Sequence, residues 1–191
     1  MEGAEAKSVK NLIPTGLGSR NDPAKDAAHW EAVDEAAELL QEARYPEAML
    51  ALREVIKADP NNAYAYNYLG VAFFEIKNLE AARDAYRAAV RLAPDYLGAW
   101  VALSHTLRAL GDADGALREA KEALRRFPKD GDALHAAGMA NAAKGNRTEA
   151  RRQLEGYLGS APEFEGQQEV RQILEMLGLG DEGEPLDLEQ E

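Results

Sequence analysis

The chain is predicted to be all-α: an α-solenoid of four helix-turn-helix repeats closed by a C-terminal helix. Two periodicities carry that prediction. Pro60, Pro94, Pro128 and Pro162 stand 34 residues apart, and Ala48, Ala82, Ala116 and Ala150 keep the same interval. A fixed period of a few tens of residues marks a stacked array in which each unit buries its apolar face against its neighbours. The third observation is the helical spacing of apolar residues inside each period. A stacked array offers a long surface rather than an enclosed pocket, so the pattern points to binding and away from catalysis.

The elements follow in order. Residues 1–28 are expected to be a flexible arm, since Pro14, Gly16, Gly18 and Pro23 punctuate them and no helical period shows before Ala24. Within that arm, NLIPTGLG (Asn11–Gly18) sets an apolar Leu12–Ile13 pair before a proline; it reads equally as a docking segment or as packing on the first repeat. Registering the prolines gives repeats at 29–62, 63–96, 97–130 and 131–164. The second is the clearest. Tyr66, Leu69, Gly70 and Phe73 mark its first helix, and Ala82, Ala85, Tyr86, Ala89 and Val90 its second.

Asn78, Asp112 and Asn146 are placed to cap the second helices, with Gly111 and Gly145 just before two of them. The prolines fall after the second helices, where no further helical N–H is needed. The periodic alanines should mark the closest helix–helix approach, helped by Gly70 and Gly138, while Leu52, Tyr86 and Leu154 fill the space one turn on. Residues 163–178 should form a capping helix with Val170, Ile173, Leu174 and Leu177 on one stripe. Residues 179–191 should be an acidic, flexible tail.

The repeat resembles the tetratricopeptide repeat, whose period is also 34 residues. The likeness covers residues 29–162 and is strongest in the second and third units, the latter through Trp100, Leu103, Ala116 and Pro128. It weakens at the ends. The first unit has Glu35 and Ala36 where the second has Leu69 and Gly70, and the fourth has Asn141 where others have Phe73 or Leu107.

Charge and composition narrow the partners. The net charge is −12, and residues 163–191 hold ten acids with Arg171 as their single base. The repeat body is near neutral, so nucleic acid, which needs a basic patch, is an unexpected partner. No apolar run reaches membrane-spanning length, and no basic stretch followed by an apolar segment opens the chain, so membrane insertion is not expected and a cytoplasmic setting is. The absence of cysteine fits a reducing compartment. No phosphate loop, nucleophile elbow or His–carboxylate cluster is seen, so no catalytic residue, cofactor or metal is assigned.

In tetratricopeptide arrays the first helices line a concave groove, and the resemblance implies that Trp30, Val33, Tyr64, Asn67, Tyr68, Val71, Phe74, Val101, His105, Arg108, His135 and Met139 line it here. Trp30, Tyr64, Tyr68 and Phe74 are then expected as an exposed aromatic strip suited to an apolar peptide or helix. The alternative is that some of them pack within the array or under residues 1–28. Chaperone-binding members of the family share a carboxylate clamp. At its places this chain has Val33, Ala37, Tyr68, Gly98 and Ala102, or one unit on Asn67, Val71, Ala102, Asp132 and Ala136, which cannot neutralise two carboxylates. His105 and His135 with Asp132 make a poor metal site and read as polar groove residues. Arg83, Arg87 and Arg91, with Arg118, Arg125 and Arg126, read as a solvated outer face.

The functional expectation is a non-catalytic adaptor or scaffold that holds a protein or peptide partner. Alternatives are a dedicated chaperone for a secretion or assembly subunit, self-association through the N-terminal arm, and an intramolecular lid.

Overall fold

The computed structural model describes residues 23–160 and 162–179. The expected arm up to residue 22, including NLIPTGLG, and the acidic tail from residue 180 lie outside them. Every regular element among the described residues is an α-helix. The chain divides into two units, one up to Thr106 and one from Leu107 onward.

The first unit holds α1 (Pro23–Glu31), α2 (Asp34–Gln41), α3 (Tyr45–Ala58), α4 (Ala63–Glu75), α5 (Leu79–Leu92) and most of α6 (Leu97–Ala109). Consecutive helices pack on one another from α2 to α5, and α1 lies against α4. The second unit holds the end of α6, then α7 (Ala113–Arg126), α8 (Gly131–Ala143), α9 (Arg147–Gly159) and α10 (Phe164–Leu179). Here α7 packs on α8, α8 on α9, and α9 on α10.

One chemistry makes the turn inside every repeat. Ala43, Lys77, Gly111 and Gly145 occupy equivalent places and all have positive φ, between 57° and 78°. The N–H of Lys77 donates to the Phe74 carbonyl and that of Asn78 to the Phe73 carbonyl; Ala43–Arg44, Gly111–Asp112 and Gly145–Asn146 repeat both bonds. This Schellman pattern satisfies the last carbonyls of the first helix and reverses the chain. The next helix then starts on a cap. Asn78 Oδ1 accepts from Ala81 N at 3.3 Å, and Asp112 Oδ1 from Gly115 N at 2.8 Å.

Asn146, expected as the third cap, behaves differently. Its side chain makes no capping bond and instead donates to Asn141 Oδ1 at 2.9 Å. Asn141 Nδ2 donates onward to Gln153 Oε1 at 2.8 Å and to the Ala137 carbonyl at 3.0 Å. Asn141 replaces the bulky apolar residue of other repeats, and its buried amide takes up the neighbouring polar groups. The cap was given over to that network.

Between repeats the prolines set a second turn. Asn62 N donates to the Asp59 carbonyl, Tyr96 N to Ala93 and Asp130 N to Phe127, so Pro60, Pro94 and Pro128 each sit second in a hydrogen-bonded β-turn. That is the position where a fixed φ near −65° is already correct. Asn62 and Asp130 then cap α4 and α8 by accepting from Ala65 N and Asp132 N. Trp100 Nε1 donates to the Pro94 carbonyl at 3.0 Å and ties α6 to its preceding turn.

Core packing follows residue size. Ala48, Ala82, Ala116 and Ala150 have no exposed surface, which places the small residues where helices meet. A Cβ on Gly138 would lie 2.6 Å from Leu154 Cγ, so the glycine leaves room for the leucine. The last helix closes the second unit. Val170, Ile173 and Leu177 of α10 join Met139, Ala142, Ala150 and Leu154 in one cluster, with Leu174, Tyr157 and Leu158 packed at its edge. Arg147, itself buried, donates from Nη1 to the Met176 and Leu177 carbonyls near the end of α10.

The first repeat departs from a plain helix pair. Its first helix is broken, with α1 ending at Glu31 and α2 starting at Asp34 after a turn at Ala32–Val33. Val33 N donates to the Trp30 carbonyl across that turn. Asp34 and Glu35 fall in the first turn of α2, where acids favour a helix N-terminus. Helix α1 also begins at Pro23, inside the stretch expected to be a flexible arm.

Candidate protein-interaction faces

The first unit carries nine of the residues expected to line a binding groove. Trp30, Phe74, Val101 and His105 are half-buried, whereas Val33, Tyr64, Asn67, Tyr68 and Val71 are buried. The expected exposed strip is therefore corrected at Tyr64 and Tyr68. The cause is α1. Its Trp30 ring stands edge-on to Tyr64 at 5.3 Å between centroids and lies 6.2 Å from Tyr68. Tyr64 in turn packs on Tyr96 at 5.0 Å. Such tilted and edge contacts match the positive rim of one ring to the negative face of the next.

Two side-chain bonds fix α1 in that place. His29 Nε2 and Asp59 Oδ2 are 2.7 Å apart, and Asn62 Nδ2 donates to the His29 carbonyl at 2.9 Å. The Asp59 carboxyl is held below its ordinary range, first by the Asn61 backbone N–H and then by His29. Both amide atoms of Asn67 and the hydroxyls of Tyr68 and Tyr96 are buried with no hydrogen-bond partner among the described residues. Burial pushes the Tyr68 hydroxyl up to about 12, with the nearby Asp34 adding to it. Burial raises Tyr96 as well, and Asn67 beside it offsets only a small part of the rise without reaching bonding geometry.

Beyond α1, the same side of the first unit stays partly open. Phe74 of α4 and His105 of α6 pack with centroids 5.0 Å apart, both half-buried, and Val101 lies one turn before His105. Lys77 Nζ sits 5.7 Å from the Phe74 centroid, within reach of a cation–π attraction.

In the second unit, Arg108 and His135 are half-buried and Met139 is buried in the α10 cluster. His135 packs on Tyr157 at 4.9 Å. Burial lowers its imidazole to about 4, helped by the Arg108 charge, so it is neutral near pH 7. Asp132 moves the other way, raised by burial and by Asp130. His105 and His135 thus each have an aromatic neighbour, and no group of three potential metal ligands exists among the described residues.

The arginine-bearing outer helices are neutralised locally. Arg83 pairs with Asp84 at 2.9 Å, Arg118 with Glu119 at 3.5 Å, and Arg125 and Arg126 share Glu122. Those two arginines hold the Glu122 carboxyl down to about 2, Arg125 first. Among the described residues, no helix is long and apolar enough to cross a membrane.

Reasoning from the sequence missed Tyr96 and the His29–Asp59 bond. Tyr96 had a usable signal, an aromatic two residues after a repeat proline and just ahead of a first helix. The His29–Asp59 pair had none, because it depends on the break after Glu31.

Two family models described as tetratricopeptide repeat match the chain, one over residues 33–96 and the other over 97–140. Superkiller complex protein 3 of Homo sapiens is 34% identical over 74 residues, 39% of this chain and 5% of that protein. The chain thus spans about a twentieth of the curated relatives it matches. Among solved structures, a MamA protein is 25% identical with a TM-score of 0.60, covering 71% of this chain and 74% of its own. A thermophilic TPR protein in Thermus thermophilus is 23% identical with a TM-score of 0.62, covering 79% of this chain and 81% of its own, a likeness of fold. The two family matches, the 34-residue period and the repeated turn chemistry agree. The chain belongs to the tetratricopeptide repeat family.

Proposed function

We propose that this chain is a non-catalytic protein-interaction module, an adaptor or scaffold that holds an apolar peptide or helix of a protein partner against its first helices. The observation that carries the reading is the Phe74–His105 pair. Two rings from adjacent first helices lie 5.0 Å apart and are only half-buried, with Val101 one turn before His105. Aromatic side chains with a polar neighbour are the usual anchors of a binding surface. Arg108 and His135 are the half-buried candidates of the second unit, the neutral imidazole lying near the Arg108 charge.

Comparison of wild type, Phe74→Ala and Val101→Ala in partner capture, with folding checked by circular dichroism, tests this reading. Loss of the captured protein in the two variants supports it. Equal capture by all three, with loss in Arg87→Ala instead, moves the working surface to the outer helices.

A further inference from the structure

Helix α3 departs from the other second helices at one place on its outer face. Leu50 is 63% exposed, whereas the same position in the next three repeats holds Asp84, Arg118 and Arg152. One turn earlier, Pro46 is exposed where those repeats have Glu80, Asp114 and Thr148, and Met49 beside it is half-buried. Packing does not require leucine at 50, because Ala48 and Leu52 already fill the core side of the helix. A single exposed leucine is ordinary. An apolar patch at positions that the repeat otherwise keeps polar is the mark of a surface with something to cover it.

The chain carries a segment of matching chemistry within reach. Residues 11–19, NLIPTGLGS, hold Leu12, Ile13 and Leu17 and no charge, between Lys10 and Arg20. The arm joins the described residues at Pro23, the start of α1, and His29, six residues on, bonds Asp59, which directly follows α3. Those six residues of helix rise about 9 Å, and the eight from Leu50 to Ala58 about 12 Å. The ten residues from Ile13 to Pro23 span up to about 33 Å when extended, more than the two lengths together. Tethering adds an effective concentration on the order of millimolar, so an apolar contact too weak to hold a free peptide still holds the arm.

We propose that the outer face of α3 at Pro46, Met49 and Leu50 is the docking surface for the chain's own N-terminal arm, with Leu12 and Ile13 seated on Leu50. The contact straps the arm to a second helix of the array, not to the first-helix face on which a partner is expected. It goes beyond the binding reading and does not rest on it.

The chain has no cysteine, so a pair can be introduced for disulfide trapping in the full chain. Thr15→Cys with Arg53→Cys puts one thiol near each half of the contact. Thr15→Cys with Lys121→Cys repeats the second position two repeats on. At micromolar protein the first pair should close an intramolecular disulfide about tenfold or more faster than the second, as a higher local concentration demands. Adding Leu50→Asp, which copies Asp84 of the next repeat, should bring the two rates together while the circular dichroism spectrum stays unchanged. Equal rates for the two pairs, or a fast first pair indifferent to Leu50→Asp, overturn the proposal. Disulfides that form only between chains give the patch to a second copy and overturn it as well. All of these outcomes leave the role of Phe74 in partner capture untouched.

Discussion

A methyl group added at Gly70 would fall 2.6 Å from Cε1 of Tyr86, so the tyrosine ring fills the space that any larger residue at 70 would need. The ring is fully buried, and burial raises its hydroxyl above the ordinary value. The glycine and the tyrosine are one packing unit. The first repeat solves the same position with Ala36 and Leu52, both buried, trading one size for the other.

Gly70→Ala should therefore destabilise the chain by about 1–3 kcal/mol through overpacking. The double variant Gly70→Ala/Tyr86→Leu copies the residues of the first repeat and should recover part of that loss. Urea melts of the two single variants and the double give the coupling. Additive losses would show that the two residues are not in contact.

The turn inside each repeat needs a left-handed residue, and two repeats supply it without glycine. Ala43 has φ 57° and Lys77 has φ 63°. Ala43→Gly should stabilise the chain by up to about 1 kcal/mol, since it removes a steric penalty larger than the entropy glycine adds. Lys77→Gly should gain less, because it also gives up the cation–π contact with Phe74. The reverse changes, Gly111→Ala and Gly145→Ala, should each cost roughly 1 kcal/mol. Thermal melts of the four variants read out the signs.

This turn shows how far the sequence could be read. The period located every second-helix alanine and the turns at Pro60, Pro94 and Pro128, because those residues answer only to their own repeat. It located Gly111 and Gly145 as turn residues, but Ala43 and Lys77 carry no such signal; only the period implies their conformation. Asn146 looked like a cap by residue type, and the buried Asn141 claimed it. The candidate groove was legible as a set of positions, since repeat register decides which way a first-helix side chain points. Its accessibility was not, because Tyr64 and Tyr68 pack against Trp30 of α1, whose break from α2 after Glu31 the period does not encode.

Arg147 is buried with its guanidinium on the Met176 and Leu177 carbonyls, so α9 and α10 are joined by a polar bond as well as by the apolar cluster. Arg147→Ala should cost on the order of 2 kcal/mol, because hydrogen bonds from a charged donor are among the stronger ones and two helix-end carbonyls lose their partner. Exposed Arg151→Ala should stay within about 0.5 kcal/mol. Equal melts for the two variants would remove Arg147 from the account of how α10 is held.

His135 gives the second unit an acid sensitivity. Its folded-state value is lowered from 6.5 to about 4, by burial first and then by Arg108. Between those values the unfolded chain binds a proton that the folded chain does not, so stability falls as pH drops through that window. The contribution is on the order of 1–3 kcal/mol, fully lost below the folded value. His135→Phe keeps a ring beside Tyr157 and should flatten the fall. Denaturant midpoints measured from neutral to mildly acid pH, for wild type and variant, provide the comparison.

The most direct test of the central claim is a titration of the captured partner at low and high ionic strength against wild type, Phe74→Ala and Arg87→Ala. A largely apolar face should hold its affinity as salt rises, because screening acts on charges. Phe74→Ala should lose about 2 kcal/mol of binding, as truncating an aromatic anchor commonly does, with Arg87→Ala close to wild type. Affinity that collapses with salt and with Arg87→Ala, but is indifferent to Phe74→Ala, would contradict the account.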